Sequence, residues 1–245
     1  MKQVFQNLRT GETSVCEVPS PIPKPGQALV HVAASLVSAG TERMVVEFAE
    51  KSLLGKARSR PDLARQVIDK ARREGLLTTL DSAFNRLDQP MPLGYSSAGT
   101  IVALGEGLHG YQIGQRVACA GGGYAIHAEF NRVPANLLAL LPDSVDFESA
   151  AFTTLGAIAL HGFRLADPGV GAHIAVIGLG LLGLLVVGVA KAAGCRVLGI
   201  DLVPSRVALA KGMGAEQSVL RTDAEAASQS FSTACHQSII SIQGA

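Results

Sequence analysis

Residues 173–201 constrain this chain more than any other stretch. His173-Ile-Ala-Val-Ile177 is a short apolar run of strand-type residues. Gly178 to Gly183 follows as a glycine-rich turn. Leu184 to Ala193 reads as an apolar helix closed by Gly194, and Cys195-Arg-Val-Leu-Gly-Ile200 as a second strand ending at Asp201. Strand, helix and strand within about 30 residues make a βαβ unit, which requires a parallel sheet. Pro204 to Gly212 reads as the next helix and Gln217-Ser-Val-Leu220 as a third strand. Beyond Arg221 the pattern fades into a polar tail with a brief Ile239-Ile240 pair.

The turn itself is Gly178-Leu179-Gly180-Leu181-Leu182-Gly183, a G-x-G-x-x-G motif. Alone this is a weak signal. Here it follows a strand, opens a helix and precedes an acidic residue, which is the context of a dinucleotide-binding loop. The first glycine permits the tight turn, the second lets the backbone approach a pyrophosphate, and the third lets helix and strand pack closely. The helix N-terminus offers free N–H groups and partial positive charge to the phosphates. Asp201 would accept hydrogen bonds from the adenosine ribose and repel a 2′-phosphate, which favours NAD(H) over NADP(H). Arg206 lies near enough to modify that preference. A competing reading takes Ile174 to Ala190 as an unbroken apolar run near the lower limit for a membrane span. Strand-type residues before Gly178 and a polar helix after Asp201 argue against it.

The N-terminal part has different grammar. Residues 2–35 read as strands, with Gln27 to Ala34 entered through the helix-excluding Pro21-Ile-Pro-Lys-Pro-Gly26. From about Glu42 to Leu87 the chain is rich in Lys, Arg, Glu, Leu and Ala, and reads as two or three helices. Their positive charge reads mainly as a solvated face. Gly99 to Gly105 and Gln115 to Cys119 are short strands between glycine-rich turns, suggesting a small barrel or sandwich. Residues 149–166 are helical and mostly apolar.

Composition excludes some partners. Net charge is +1 and aromatics are 4% without Trp, so neither a basic nucleic-acid footprint nor a base-stacking platform is expected. Cys16, Cys119, Cys195 and Cys235 form no C-x-x-C pair, and the N-terminus has no signal-peptide apolar region. Free thiols in a cytoplasmic protein are expected.

The order of motifs resembles the medium-chain dehydrogenase/reductase superfamily of the zinc alcohol dehydrogenase type. The matching parts are Lys24-Pro-Gly-Gln-Ala-Leu-Val30, Ala39-Gly-Thr-Glu42, Pro92-Leu-Gly-Tyr-Ser-Ser-Ala-Gly99, Gly114-Gln-Arg-Val117, Ala128-Glu-Phe130, Val133-Pro134, Ala150-Ala151 and the Gly178 motif. The resemblance implies an α/β plus β architecture. A GroES-like β-barrel catalytic domain (1–150, with a helical insertion about 43–90) would precede an incomplete Rossmann domain (151–245). The spacer helices look like one branch, the bi-domain oxidoreductases, which carry a fused sugar-dehydrogenase-like half and accompany polysaccharide biosynthesis.

Zinc members have a Cys just before the G-[ST]-[DE] triplet, a Gly-His-Glu, and a third ligand near residue 155. This chain has Ala39, Gly94-Tyr95-Ser96 and Leu155 there. Zinc needs thiolate, imidazole or carboxylate donors, so no zinc is expected. Thr41 matches the family's proton-relaying hydroxyl, and Tyr95 replaces the ligand His and could give a proton to a carbonyl oxygen. Glu42 and His127 are lesser candidates, with His127 read as structural and His161 as a satisfied core histidine. The resemblance thus implies a zinc-independent NAD(H)-dependent oxidoreductase. It would act on a small alcohol or carbonyl, plausibly sugar-derived, with no nucleic-acid or membrane partner. A homodimer is implied for the complete protein.

The alternatives are a nucleotide-binding module without turnover and an inactive fragment. A complete dinucleotide fold of this type uses six strands in the order 3-2-1-4-5-6. The fourth is expected near or past Gly244-Ala245, so the chain reads as C-terminally truncated, with strand 1 left as an exposed apolar edge.

Overall fold

The computed structural model describes residues 1–7, 10–38, 40, 42, 90–224 and 237–241. The chain divides into two compact units, Met1–Phe152 and Thr153–Ala245.

The first unit is built from β-strands. β1 (Lys2–Gln6) pairs antiparallel with β2 (Thr13–Glu17) on one side and with the short β4 (Met91–Pro92) on the other. A five-stranded antiparallel sheet runs in the order β7-β3-β5-β6-β8. Its members are β3 (Gln27–Ser35), β5 (Ser96–Leu104), β6 (Arg116–Ala120), β7 (Phe130–Pro134) and β8 (Leu138–Leu140). Period-2 patterning puts Ala28 and Val30 of β3, Ile101 of β5, Val117 and Cys119 of β6 and Val133 of β7 into one core. A bridge between Gln3 and Ala128, with the Val4 amide donating to the His127 carbonyl at 2.9 Å, ties β1 to the segment before β7. The short helix α1 (Phe147–Ala150) is capped by Asp146, whose Oδ1 accepts from the Ser149 amide at 2.7 Å. The helices expected at about 43–90 lie outside the described residues.

The second unit opens with α2 (Thr153–Leu165). A parallel sheet follows, ordered β11-β10-β9-β12. β9 is His173–Ile177, α3 is Leu181–Ala192, β10 is Arg196–Asp201, α4 is Pro204–Gly212 and β11 is Gln217–Leu220. The bounds of β9, α4 and β11 agree with the sequence reading. The apolar run at 174–190 is divided between β9 and α3 by the glycine turn. Among the described residues no helix is long and apolar enough to cross a membrane. The core is Ile174 and Val176 from β9, Val186, Val187 and Ala190 from α3, and Val197 from β10. Each valine or isoleucine among them contributes about 1.5–3 kcal/mol by leaving water.

Three expectations are corrected. The helix after the turn begins at Leu181, within the motif, because Gly180 already serves as its N-cap. Its end matches the reading: Gly194 sits at φ +79 and the Cys195 amide reaches the Ala190 carbonyl at 3.0 Å. The fourth Rossmann strand is already present as β12 (Gln237–Ser241), parallel to β9 with Ile239 opposite Ala175. Strand 1 is therefore an inner strand, covered on both sides, and not an apolar edge. His161 is solvent-exposed on α2 and not a core histidine.

Candidate functional site

The glycine turn takes its shape from three local facts. Gly178 has φ +93, a left-handed conformation that side chains resist, and its amide donates to the Ile200 carbonyl at 2.8 Å. Leu179 is fully buried, and its methyl groups lie where a Cβ on Gly199 of β10 would fall, at 3.1 and 3.2 Å. Gly180 is extended (φ −70, ψ −171), and a Cβ built on it meets nothing within 4 Å. The turn thus anchors one leucine in the core and leaves open space beside the glycine that caps α3. The amides of the first α3 turn have no carbonyl one turn back to receive them. Leu181 and Leu182 are half-buried there, and Gly183 is buried.

Asp201 closes the arrangement. Its Oδ2 accepts the Leu179 amide at 2.6 Å and its Oδ1 the Val203 amide at 2.8 Å. Burial pushes the carboxyl up, but those two amides and the nearby Arg206 charge outweigh it and hold it below the ordinary value. Arg206 Nη1 stands 3.8 Å from Asp201 Oδ2, with the arginine side chain 43% exposed and the aspartate 6%. The structure therefore brings Gly178, Leu179, Gly180, Leu181, Leu182, Gly183, Asp201 and Arg206 to one end of the parallel sheet. A pyrophosphate fits this cradle by its chemistry: open space over a capping glycine and unclaimed helix amides.

A second polar constellation lies in the first unit. Tyr95 is half-buried just before β5, and its carbonyl accepts the Gly121 amide at 2.9 Å. Its neighbour Ser96 is buried and donates from Oγ to the Ala151 carbonyl at 2.6 Å. On the other side, Gly94 at φ +97 packs against His127, whose amide N would lie 2.8 Å from an added Cβ. The His127 ring joins Ser35 and Glu42: Nδ1 is 2.9 Å from Ser35 Oγ, and Nε2 is 3.2 Å from each Glu42 oxygen. Thr41 and Ala39 lie outside the described residues. Sequence reasoning named Glu42 and His127 only singly and missed Ser35. Their partnership is a long-range contact with no spacing signal.

A metal fits this constellation poorly. Among the described residues no group of three His, Cys, Asp or Glu side chains could hold an ion. Tyr95, where the sequence resemblance expects a ligand histidine, supplies a phenol.

Comparison with known proteins agrees with both halves of this description. The alcohol dehydrogenase GroES-like domain model matches residues 68–143. The chain is 31% identical over 153 residues to the (R,R)-butanediol dehydrogenase of Bacillus subtilis, covering 51% of this chain and 43% of that protein. It is 30% identical over 151 residues to a zinc-type alcohol dehydrogenase-like protein of Escherichia coli, covering 49% and 43%. The matched stretch thus spans less than half the length of these relatives. Among solved structures, galactitol-1-phosphate dehydrogenase from Escherichia coli superposes with a TM-score of 0.71 at 22% identity, covering 98% of this chain and 67% of that one. The quinone oxidoreductase of Thermus thermophilus, solved also with NADPH, gives 0.66 at 21% identity, covering 95% and 64%. A GroES-like β-unit followed by a glycine turn on a parallel sheet in the order 3-2-1-4 is the fold this chain shares with those dehydrogenase and oxidoreductase structures, and its sequence is similar to alcohol and sugar dehydrogenases.

Proposed function

We propose that this chain carries the cofactor-binding turn and the proton-donating face of a zinc-independent, NAD(H)-dependent oxidoreductase acting on alcohols or carbonyls, sugar-derived ones among them. One observation carries the reading: the glycine turn anchored by Leu179 and Asp201 leaves the α3 amides and the space over Gly180 free for a pyrophosphate. Gly178 to Gly183 would hold the phosphates. Asp201, with a lone pair left on each oxygen, would take the ribose hydroxyls, and Arg206 would border the same group. When bound, the dinucleotide supplies or accepts hydride.

The chain's own part in the chemistry is a proton. Hydride delivered to a carbonyl carbon leaves charge on its oxygen, and that oxygen needs a donor. Tyr95 stands where zinc relatives keep a ligand histidine, and its phenol is the group we assign to that donation. Thr41 is assigned to the relay, by its match to the family motif. Absence of zinc is supported by the ligand positions: Ala39, Tyr95 and Leu155 offer no ordinary donor set. The carboxylate of Asp201 supports NAD(H) over NADP(H).

NADH fluorescence on titration tests the binding step, and a screen of aldehydes, ketones and nucleotide sugars with NADH tests turnover. Saturable binding with oxidation of NADH on at least one carbonyl is expected. A folded sample that binds neither NADH nor NADPH would overturn the reading.

A further inference from the structure

Glu42 and His127 stand 85 residues apart in sequence and share a hydrogen-bond contact, with side chains 12% and 10% exposed. Removing two ionisable groups from water is costly unless they are paired, and such a pair adds little net stability over apolar packing. What it holds is therefore more informative than what it stabilises. On one side Glu42 is tied to Ser38: its Oε1 accepts the Ser38 amide at 3.0 Å, and its own amide donates to the Ser38 carbonyl at 2.9 Å. In sequence it directly follows Thr41. On the other side the His127 amide donates to the Leu93 carbonyl at 2.9 Å, and Gly94 packs against the imidazole. A Cβ on Gly94 would sit 3.0 Å from both Cγ and Nδ1 of the ring. Tyr95 is the next residue. Ser35 on β3, 2.9 Å from Nδ1, fixes the ring from below.

We propose that the Glu42–His127 pair, seated on Ser35, is a positioning clamp that sets Ser38 and Glu42 and the Leu93–Tyr95 entry to β5 in register for proton donation by Tyr95. The proposal rests on the assignment of Tyr95 made above. The same three side chains have the composition of a nucleophilic triad, but the neighbouring Leu36 amide is already committed to the Ser96 carbonyl at 3.0 Å and cannot serve an oxyanion. That leaves positioning as the role the geometry serves.

The test uses the whole chain labelled with [13C]tyrosine, which places three ring signals in one spectrum. Tyr95→Phe assigns the Tyr95 signal. Glu42→Gln and His127→Gln are each expected to shift that signal while leaving the Tyr111 signal in place. On any carbonyl found in the NADH screen, each variant should lower kcat by about tenfold or more, since a misplacement of about 1 Å can cost up to ~100-fold. KM for NADH should stay unchanged. The double variant should lose no more than the worse single one, because the two residues act as one unit. A Tyr95 signal that stays put in both variants overturns the clamp, and so do losses that multiply. Should either variant fail to fold, Ser35→Ala removes a single hydrogen bond and must still move the Tyr95 signal. Wild-type protein without turnover on any carbonyl would remove the proposed reaction, and the Tyr95 signal would still decide the clamp.

Discussion

The Leu179 amide donates to Oδ2 of Asp201 at 2.6 Å, joining the glycine turn to the end of β10 across 22 residues of chain. Asp201 thereby shapes the cradle, besides the ribose-binding role proposed for it. Asp201→Ala strips acceptors from two amides, and a buried amide without a partner costs about 1–3 kcal/mol. The expected result is a melting temperature lower by several degrees and NADH affinity weakened about tenfold or more, read by calorimetry and fluorescence titration. The pH dependence has a defined sign. A carboxyl held below its ordinary 3.8 contributes stability that is fully present above pH 3.8 and is lost as pH falls through its lower native value. Acid melting curves of wild type and Asp201→Asn should therefore converge below that range.

The two outer glycines of the G-x-G pair should fail in different ways. At Gly178 the backbone has φ +93, where an alanine is strained by about 1–3 kcal/mol. Gly178→Ala should lower the melting temperature before any ligand is added. At Gly180 the backbone is ordinary and an added Cβ meets nothing within 4 Å. Gly180→Ala should melt like wild type and yet bind NADH weakly, because the methyl would occupy the open space proposed for phosphate. Equal NADH affinity in Gly180→Ala would place the cofactor elsewhere.

What was legible in the sequence follows from how local each signal is. β9, α4 and β11 announce themselves through apolar runs, Pro204 at a helix start and flanking glycines. β12 does not. Gln237-Ser-Ile-Ile-Ser241 has two apolar residues among polar ones, and becomes a strand because β9 offers it a free edge, with Gln237 opposite His173. Strand 1 read as an apolar edge for the same reason. The G-x-G-x-x-G loop was readable, apart from the helix start at Leu181, because strand, turn, helix and acid lie within about 30 residues. The Glu42–His127–Ser35 contact was not, since its members are 85 and 92 residues apart and meet only once the sheets close. His161 misled because apolar neighbours in sequence do not say which face of α2 it occupies.

Thiol reactivity gives an independent check on the first unit. Cys119 points into the core of the five-stranded sheet, and burial pushes its thiol up to about 12, with a hydrogen bond to Ser97 opposing. At pH 8 its thiolate fraction is then on the order of 10⁻⁴. Iodoacetamide on the native protein should modify the half-buried Cys16 and spare Cys119, which reacts only after denaturation. Mass spectrometry of the alkylated peptides reads this directly. Rapid native labelling of Cys119 would mean that the sheet opens.

Metal content tests the zinc-independent reading. With Ala39, Tyr95 and Leu155 at the ligand positions, purified protein should contain far less than one zinc per chain, and chelation should leave its melting temperature and NADH affinity unchanged. One zinc per chain after extensive dialysis would contradict the reading and require ligands from another set.

Tyr95→Phe is the sharpest test of the chemistry. The substitution removes one oxygen and keeps the ring, so the packing beside Gly94 and the backbone bond from Gly121 to the Tyr95 carbonyl survive. The cofactor turn belongs to the other compact unit and is held by its own contacts. NADH affinity and melting temperature should therefore stay close to wild type. Turnover should not: loss of a positioned general acid costs about 10²–10⁴-fold. A fall in kcat with unchanged NADH affinity assigns the proton to Tyr95. Full activity in Tyr95→Phe removes the phenol from the mechanism and moves the search for the donor to the hydroxyl of Thr41.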